Sequence, residues 1–141
     1  MKHVRIDHDG RAINATLDGD TVTGDGTEIK IKDVKKWLAP VTPGKILATH
    51  LTYRSRAEEY RMTRLPSEPS YFMKPPSSLS AHLSPVVRPV GCRFLNYEGE
   101  IAVVIGRRCR GVAVEEALDY VGGYTVDGVT VVAQHREEVP A

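Results

Sequence analysis

Three Asp-Gly dipeptides constrain the fold of this chain more than any other feature of its sequence. They stand at positions 9–10, 18–19 and 25–26, between short runs in which apolar and polar residues alternate. Asp-Gly favours the two-residue turns of β-hairpins, because both residues tolerate the positive φ angles of those turns. Residues 1–31 are therefore predicted to form a small β-meander, with strands at His3–Asp7, Ala12–Leu17, Asp20–Thr23 and Thr27–Ile31.

Strand signals also outnumber helix signals in the rest of the chain. Further strands are predicted at Lys45–Leu51, Tyr71–Met73, Glu100–Gly106, Val121–Val126 and Val129–Ala133. Short helices are predicted at Val34–Leu38 with Asp33 as its cap, at Ser55–Met62 with Ser55 and Glu58 as a capping box, and at Val114–Tyr120. Since the pattern is not an alternation of strands and helices, the predicted fold class is mainly β with short helices (α+β), with a largely antiparallel or mixed sheet.

Composition narrows the possible partners and the compartment. The chain has 141 residues and a net charge of +1, so no overall field favours nucleic acid or a membrane surface. The arginines near Glu58 and near residue 107 are predicted to be solvated faces, because no stacking aromatics accompany them as in a nucleic-acid site. No apolar stretch approaches the length of a membrane span. A cytoplasmic chain is predicted, with Cys92 and Cys109 reduced in preference to the alternative of a disulfide between them.

Glu98 and Glu100 directly precede the apolar run Ile101–Ile105. In an extended strand, residues two apart project to the same face, so the two carboxylates would repel each other unless a cation neutralised them. A hard divalent ion with oxygen ligands would do so. The alternative is that both acids are the solvated edge of a strand, and spacing alone favours that alternative. His50, at the end of another strand, is likewise more typical of a structural residue than of a catalytic one.

Four phrases of the sequence form a series. Tyr53 and Glu59 fit N-Y-x-x-H-x-x-E, with Arg56 at its histidine position, and Pro69–Pro75 fits P-x-x-F-x-K-P. Tyr97–Gly106 fits Y-E-x-E-L-A-V-V-I-G with Ile101 in place of the leucine, and Ala117–Val126 fits A-x-x-Y-V-x-G-Y-T-V. In this series the chain resembles the fumarylacetoacetate hydrolase family, in the branch of the 2-hydroxyhepta-2,4-diene-1,7-dioate and 5-carboxymethyl-2-hydroxymuconate isomerases. The resemblance implies a small N-terminal β-rich domain over residues 1–40 and the N-terminal half of a catalytic β-roll domain over 45–130.

The resemblance also implies a site. Glu98, Glu100 and Asp127 fall on the family's metal ligands, and Asp127 lies in a segment one residue shorter than the family's N-D-V-T form. The expected cofactor is Mg²⁺ or Mn²⁺, with Ca²⁺ as an alternative. It would act as a Lewis acid on a small 2-oxo or 2-hydroxydienoate diacid in aromatic-compound breakdown.

Catalytic roles would fall on Glu59 and on Arg56, which replaces the family's histidine. An arginine cannot act as a base, so the chain is expected to favour isomerisation or decarboxylation over hydrolysis, with Arg56 as a clamp for a substrate carboxylate. A homodimer is expected for the full-length family. Residues 131–141 look unlike the family, so a truncated member is expected. The alternative function is a non-catalytic β-domain remnant of such an enzyme.

Overall fold

The computed structural model describes residues 1–92, 94–96, 98–127 and 132–134; of residues 94, 96, 127 and 132–134 it describes the backbone. The chain forms two compact units, Met1–Ser84 and Pro85–Ala141. The predicted domain limits at residues 40, 45 and 130 stay a prediction.

Five antiparallel strands build the N-terminal sheet. They are β1 (Lys2–His8), β2 (Arg11–Asp18), β3 (Thr21–Gly24), β4 (Thr27–Lys30) and β5 (Lys36–Leu38), in the order β4-β3-β2-β1-β5 across the sheet. Two of the predicted turns have both residues at positive φ: Asp9 at 51° with Gly10 at 78°, and Asp25 at 47° with Gly26 at 73°. Paired positive φ angles are those of a type I′ turn, which Asp-Gly favours. The predicted meander is confirmed.

The core of this sheet is small and aliphatic. Ile6, Ile13, Ala15 and Val22 are buried together. The register sets Ile6 across from Ile13 on one neighbouring strand and across from Trp37 on the other. Full burial of an isoleucine or valine side chain stabilises a fold by about 1.5–3 kcal/mol, and partly buried side chains, Trp37 among them, pack against this core.

The predicted helix at Val34–Leu38 is wrong. A 3-10 turn occupies Ile31–Asp33, and Asp33 lies inside that turn instead of capping a helix. Val34 is extended, and β5 then pairs with β1. Strand pairing prevails because it satisfies the outer edge of β1 and places Trp37 against the core. A helix of five residues would leave most of its backbone groups without intrahelical partners.

The first unit also contains a two-stranded antiparallel sheet, β6 (Ile46–His50) with β7 (Ser70–Lys74), which confirms two predicted strands. Helix α1 (Arg54–Glu59) lies between them in sequence, and a 3-10 turn follows at Pro76–Ser78. The predicted cap at Ser55 is wrong: Tyr53 precedes the helix without a side-chain cap, and Ser55 is its second residue. Because Arg54 already belongs to the helix, Ser55 lies inside it, whereas a capping box requires the serine outside the helix, at its N-cap.

The second unit consists of two antiparallel strand pairs. Its elements are β8 (Phe94–Asn96), β9 (Glu100–Ile105), a 3-10 helix (Val114–Tyr120), β10 (Val121–Asp127) and β11 (Val132–Gln134). β9 pairs with β10, and β8 pairs with β11. The predicted strands at 100–106 and 121–126 and the helical segment at 114–120 are confirmed. Of the strand predicted at Val129–Ala133, the part at residues 129–131 lies outside the described residues, as does most of the tail at 131–141.

The predicted fold class is confirmed. Within the part of the chain that the structure describes, α1 is the one α-helix, and the remaining regular structure consists of strands and 3-10 turns. None of the helices among these residues has the length and apolar character that crossing a membrane would need.

Candidate metal and substrate-binding residues

The β9–β10 hairpin brings two of the three predicted metal ligands to one end. Glu100 is the first residue of β9, Asp127 is the last residue of β10, and the register places them directly across from each other. Opposed residues of an antiparallel pair have Cα atoms about 4.5–5.5 Å apart. Glu98 is exposed and stands two residues before β9. The three positions therefore lie close together along the backbone.

Alternation along β9 explains how an acid can lead into an apolar strand. Glu100, Ala102 and Val104 are half-buried, whereas Ile101 and Ile105 are 69% and 57% exposed. Glu100 therefore belongs to the more covered face, and the large aliphatic side chains belong to the more open one. Glu98 lies before the strand, so strand geometry does not fix the direction of its side chain.

A β-bulge near the other end of the hairpin sets this register. Val121 pairs with Ile105 and Gly123 pairs with Val104, so Gly122 is an extra residue in β10. Gly122 and Gly106 touch through their backbones: a Cβ on Gly122 would lie 2.8 Å from the Cα of Gly106. Sequence reasoning missed this pair. Its signal was a glycine directly after the first apolar strand and another at the second position of the next, where the two strands approach closely.

The donor chemistry at this end of the hairpin fits a hard divalent cation. Glu98, Glu100 and Asp127 supply carboxylate oxygens, the ligand type that Mg²⁺, Mn²⁺ and Ca²⁺ prefer. Among the side chains that the structure describes, no three of His, Cys, Asp and Glu are grouped closely enough to hold a metal. That set does not include the side chain of Asp127, so ligation by these three residues stays a prediction.

Arg56 and Glu59 meet on one face of α1. The Arg56 guanidinium donates to Glu59 Oε2 at 2.5 Å, and its Cζ lies 4.8 Å from the centre of the Tyr60 ring. The side chains of the ion pair are 47% and 59% exposed. Arginine stays protonated at any physiological pH, so the guanidinium at this position cannot act as a base. The two predicted catalytic positions are thus brought together, and their roles stay predictions.

His50 and Arg107 both lie on the surface. His50 ends β6 across from Ser70 and is exposed, so it is not a buried structural histidine. Arg107 was predicted to be part of a solvated face, and it is exposed, but it also has a local task. Its guanidinium donates to the carbonyl of Asp119 at 2.5 Å and lies 4.7 Å from the centre of the Tyr120 ring. It therefore fastens the 3-10 helix to the end of β9.

Comparisons with known proteins agree on one family. The model for the fumarylacetoacetate (FAA) hydrolase C-terminal family matches residues 45–138. A protein of Archaeoglobus fulgidus is 42% identical over 109 residues. The 4-hydroxyphenylacetate degradation bifunctional isomerase/decarboxylase of Escherichia coli is 39% identical over 87 residues. The crystal structure of 5-carboxymethyl-2-hydroxymuconate delta-isomerase from Mycobacterium smegmatis superposes with a TM-score of 0.78 at 29% identity.

The matches cover most of this chain and only part of each relative. The Archaeoglobus match covers 77% of this chain and 43% of the relative, and the Escherichia match covers 62% and 20%. The Mycobacterium structure covers 94% of this chain, which spans 55% of that structure. The chain therefore spans about half, or less, of the length of the relatives that it matches.

Proposed function

Because the chain belongs to the fumarylacetoacetate hydrolase family, we propose that it is a divalent-metal-dependent enzyme of that family. Its proposed substrate is a small 2-oxo or 2-hydroxydienoate diacid from aromatic-compound breakdown, which it would isomerise or decarboxylate. The observation that carries the proposal is the pairing of Glu100 with Asp127 in the β9–β10 register. The names of the Escherichia and Mycobacterium relatives support the reaction class.

In this proposal Glu98, Glu100 and Asp127 hold Mg²⁺ or Mn²⁺. When bound, such a cation supplies Lewis acidity to an oxygen of the substrate. Glu100 is suited to the task because it lies on the more covered face of the hairpin, where a carboxylate is less hydrated and gains more from a cation. Glu98, which is exposed, can reorient towards an arriving ion with little disturbance of the strand.

Arg56 is proposed to bind a carboxylate of the diacid. A guanidinium offers a planar pair of donors that matches a carboxylate. The ion pair with Glu59 and the contact with Tyr60 hold the side chain against the helix surface, which lowers the entropy lost on binding. With arginine at this position, water activation by a histidine–glutamate pair is absent from the proposed mechanism. A cytoplasmic, homodimeric enzyme is part of the proposal and is carried over from the family.

One observation favours a second candidate, a β-domain that keeps the ligand positions without completing a catalytic site. The open face of the β9–β10 hairpin exposes Ile101, Val103, Ile105, Tyr124 and Val126, each more than half exposed. A working active-site domain ordinarily covers so large an apolar face. In this second reading the described chain would bind the cation and turn over no substrate.

The test is a calorimetric titration with Mn²⁺ and then with Mg²⁺. The double variant Glu98→Ala/Glu100→Ala is expected to lose binding, because both variant positions lose their anionic donors. The double variant Glu115→Ala/Glu116→Ala is the matched control: it removes the same charge from exposed positions in the 3-10 helix and should bind as the wild type does. Equal binding by the wild type and the Glu98/Glu100 variant would refute this metal site. Binding without turnover of a muconate-type diacid would favour the second candidate.

A further inference from the structure

The hairpin register depends on one residue. If the ladder continued without a bulge beyond the pair Val121–Ile105, Gly122 would pair with Val104. Each later residue of β10 would then pair with the β9 residue that precedes its present partner in the sequence. Val126 would then stand across from Glu100, and Asp127 would stand across from Gly99. In the structure Gly123 faces Val104 and Asp127 faces Glu100, because Gly122 is taken up in the bulge.

We infer that the bulge at Gly122 is a positioning element for the metal site, since it brings Asp127 across from Glu100. The inference rests on the proposed function, because the pairing matters only if both acids bind one cation. A shift of one residue in a β-ladder also exchanges the two faces of the strand. Without the bulge, Asp127 would therefore be one position away from pairing with Glu100. Position 127 would also belong to the opposite face of the hairpin.

Backbone contact between two glycines maintains the bulge. A Cβ added at Gly122 would lie 2.8 Å from the Cα and 3.1 Å from the nitrogen of Gly106. A Cβ added at Gly106 would lie 2.7 Å and 3.0 Å from the same atoms of Gly122. Backbone atoms cannot move aside as the end of a flexible side chain can. A methyl group at either position therefore has to separate the strands or remove the bulge.

The end of the hairpin beyond the bulge is fastened independently. The Gly106 amide donates to the Tyr120 carbonyl at 2.8 Å. The Arg107 guanidinium donates to the Asp119 carbonyl and stacks on the Tyr120 ring. Because these contacts hold that end of the hairpin, loss of the bulge would shift the rest of β10, up to Asp127, by one residue along β9. Arg107 thus affects the metal site indirectly, because it holds one end of the hairpin whose register places Asp127 across from Glu100.

The test compares two changes at one position in the full chain, with Mn²⁺ affinity as the readout. Gly122→Ala should lower the affinity by roughly 10–100-fold, the usual loss when a residue that orients a ligand is changed. Deletion of Gly122 removes the extra residue, so a regular ladder again pairs Asp127 with Glu100 and the affinity should stay close to that of the wild type. A merely structural role predicts the reverse order, with the deletion as harmful as the alanine or more so.

A rescue variant makes the test specific to register. After the slip, residue 126 stands across from Glu100, so Gly122→Ala/Val126→Asp should regain affinity that Gly122→Ala lost. Val126→Asp alone is the control. Val126 lies across from Ile101 and is 76% exposed, so this change should leave the affinity of the wild-type hairpin unaltered. Failure of the double variant to regain affinity would overturn the inference.

Disulfide trapping tests the register of β9 and β10 in the absence of metal. In a Cys92→Ala/Cys109→Ser background, Ile101→Cys should cross-link with Val126→Cys in the wild-type register and with Thr125→Cys once Gly122→Ala is added. If the cross-links follow this pattern and the wild type binds no Mn²⁺, the metal proposal fails and the register assignment stands. If Gly122→Ala keeps both the 101–126 cross-link and wild-type affinity, the inference fails and the metal proposal stands.

Discussion

Replacing Arg56 by histidine is the change that most directly tests the proposed chemistry. Arg56 donates to Glu59 at 2.5 Å, and the histidine would be placed beside the same carboxylate. A neutral imidazole there can take a proton, and a positioned general base ordinarily contributes about 10²–10⁴-fold to a rate. Arg56→His should therefore raise hydrolysis of an acylpyruvate about 10²-fold above the low level expected of the wild type, at the lower end of that contribution.

The cost in stability follows from the contacts that the arginine makes. An exposed ion pair of this kind stabilises by about 0.3–0.5 kcal/mol, and an exposed cation–π contact by about 0.5–1 kcal/mol. The loss is then about 1 kcal/mol, which corresponds to a fall in Tm of roughly 4–8 °C for a unit of this size. The variant should remain folded at assay temperature.

The assay measures turnover of an acylpyruvate against pH, with Mn²⁺ present, together with thermal unfolding. The rate of the variant should fall below about pH 6.5 as the imidazole takes up a proton. Arg56→Lys is the matched control, because it keeps a cation without providing a base at neutral pH, and it should show no gain. Efficient hydrolysis by the wild type, or a folded, Mn²⁺-binding histidine variant without any gain, would refute the reasoning about Arg56.

Three further outcomes are expected. Ile6→Ala should lower the free energy of unfolding by about 2–5 kcal/mol in urea titrations, since Ile6 is 1% exposed; a loss below about 1 kcal/mol would contradict the assigned core. The Lys30 ammonium lowers the pKa of Asp20 from its usual 3.8, and Asp20 raises the pKa of Lys30 from its usual 10.5. The stabilisation from this pair should therefore be complete between those values and be lost as pH falls below the first or rises above the second. In thermal unfolding across pH, Lys30→Met should remove the alkaline dependence and reduce the acid one, since the Thr21 hydroxyl still donates to Asp20. Finally, the isolated chain should self-associate through the open face of the β9–β10 hairpin, and Tyr124→Ser/Val126→Thr should shift sedimentation velocity profiles towards the monomer; unchanged profiles would contradict that assignment.

Local signals predicted the strands well where neighbours in sequence are also neighbours in space. The Asp-Gly turns define the N-terminal hairpins because each turn joins adjacent strands. The helix predicted at Val34–Leu38 failed for the opposite reason. Its residues pair with β1, about thirty positions earlier, and the local pattern carries no record of that partner. Long-range pairing overrides weak helical preference in a segment of this length.

The candidate site was likewise predictable from the sequence only in part. Glu98 and Glu100 drew attention because they precede an apolar run, although spacing alone favoured a solvated strand edge; the family resemblance supplied the metal-ligand prediction and added Asp127. The geometry that relates Asp127 to Glu100 was not predictable, because it depends on the close approach of Gly106 and Gly122. A glycine in a sequence indicates that a side chain is absent; the backbone that occupies the space becomes known only from the fold.

The β9–β10 hairpin has an acid in a half-buried position and aliphatic side chains in exposed ones, and both follow from the geometry of the strands. Alternation along β9 gives Glu100 the same phase as Ala102 and Val104, so Ile101 and Ile105 must take the other face. A change of register that turned Glu100 to the open face would therefore also turn Ile101 and Ile105 to the covered face. A partner surface that covered the open face would stabilise the present register, and with it the pairing of Glu100 and Asp127. By linkage, an ion bound between those residues would stabilise the same register, and with it the arrangement of the open face that such a partner would bind.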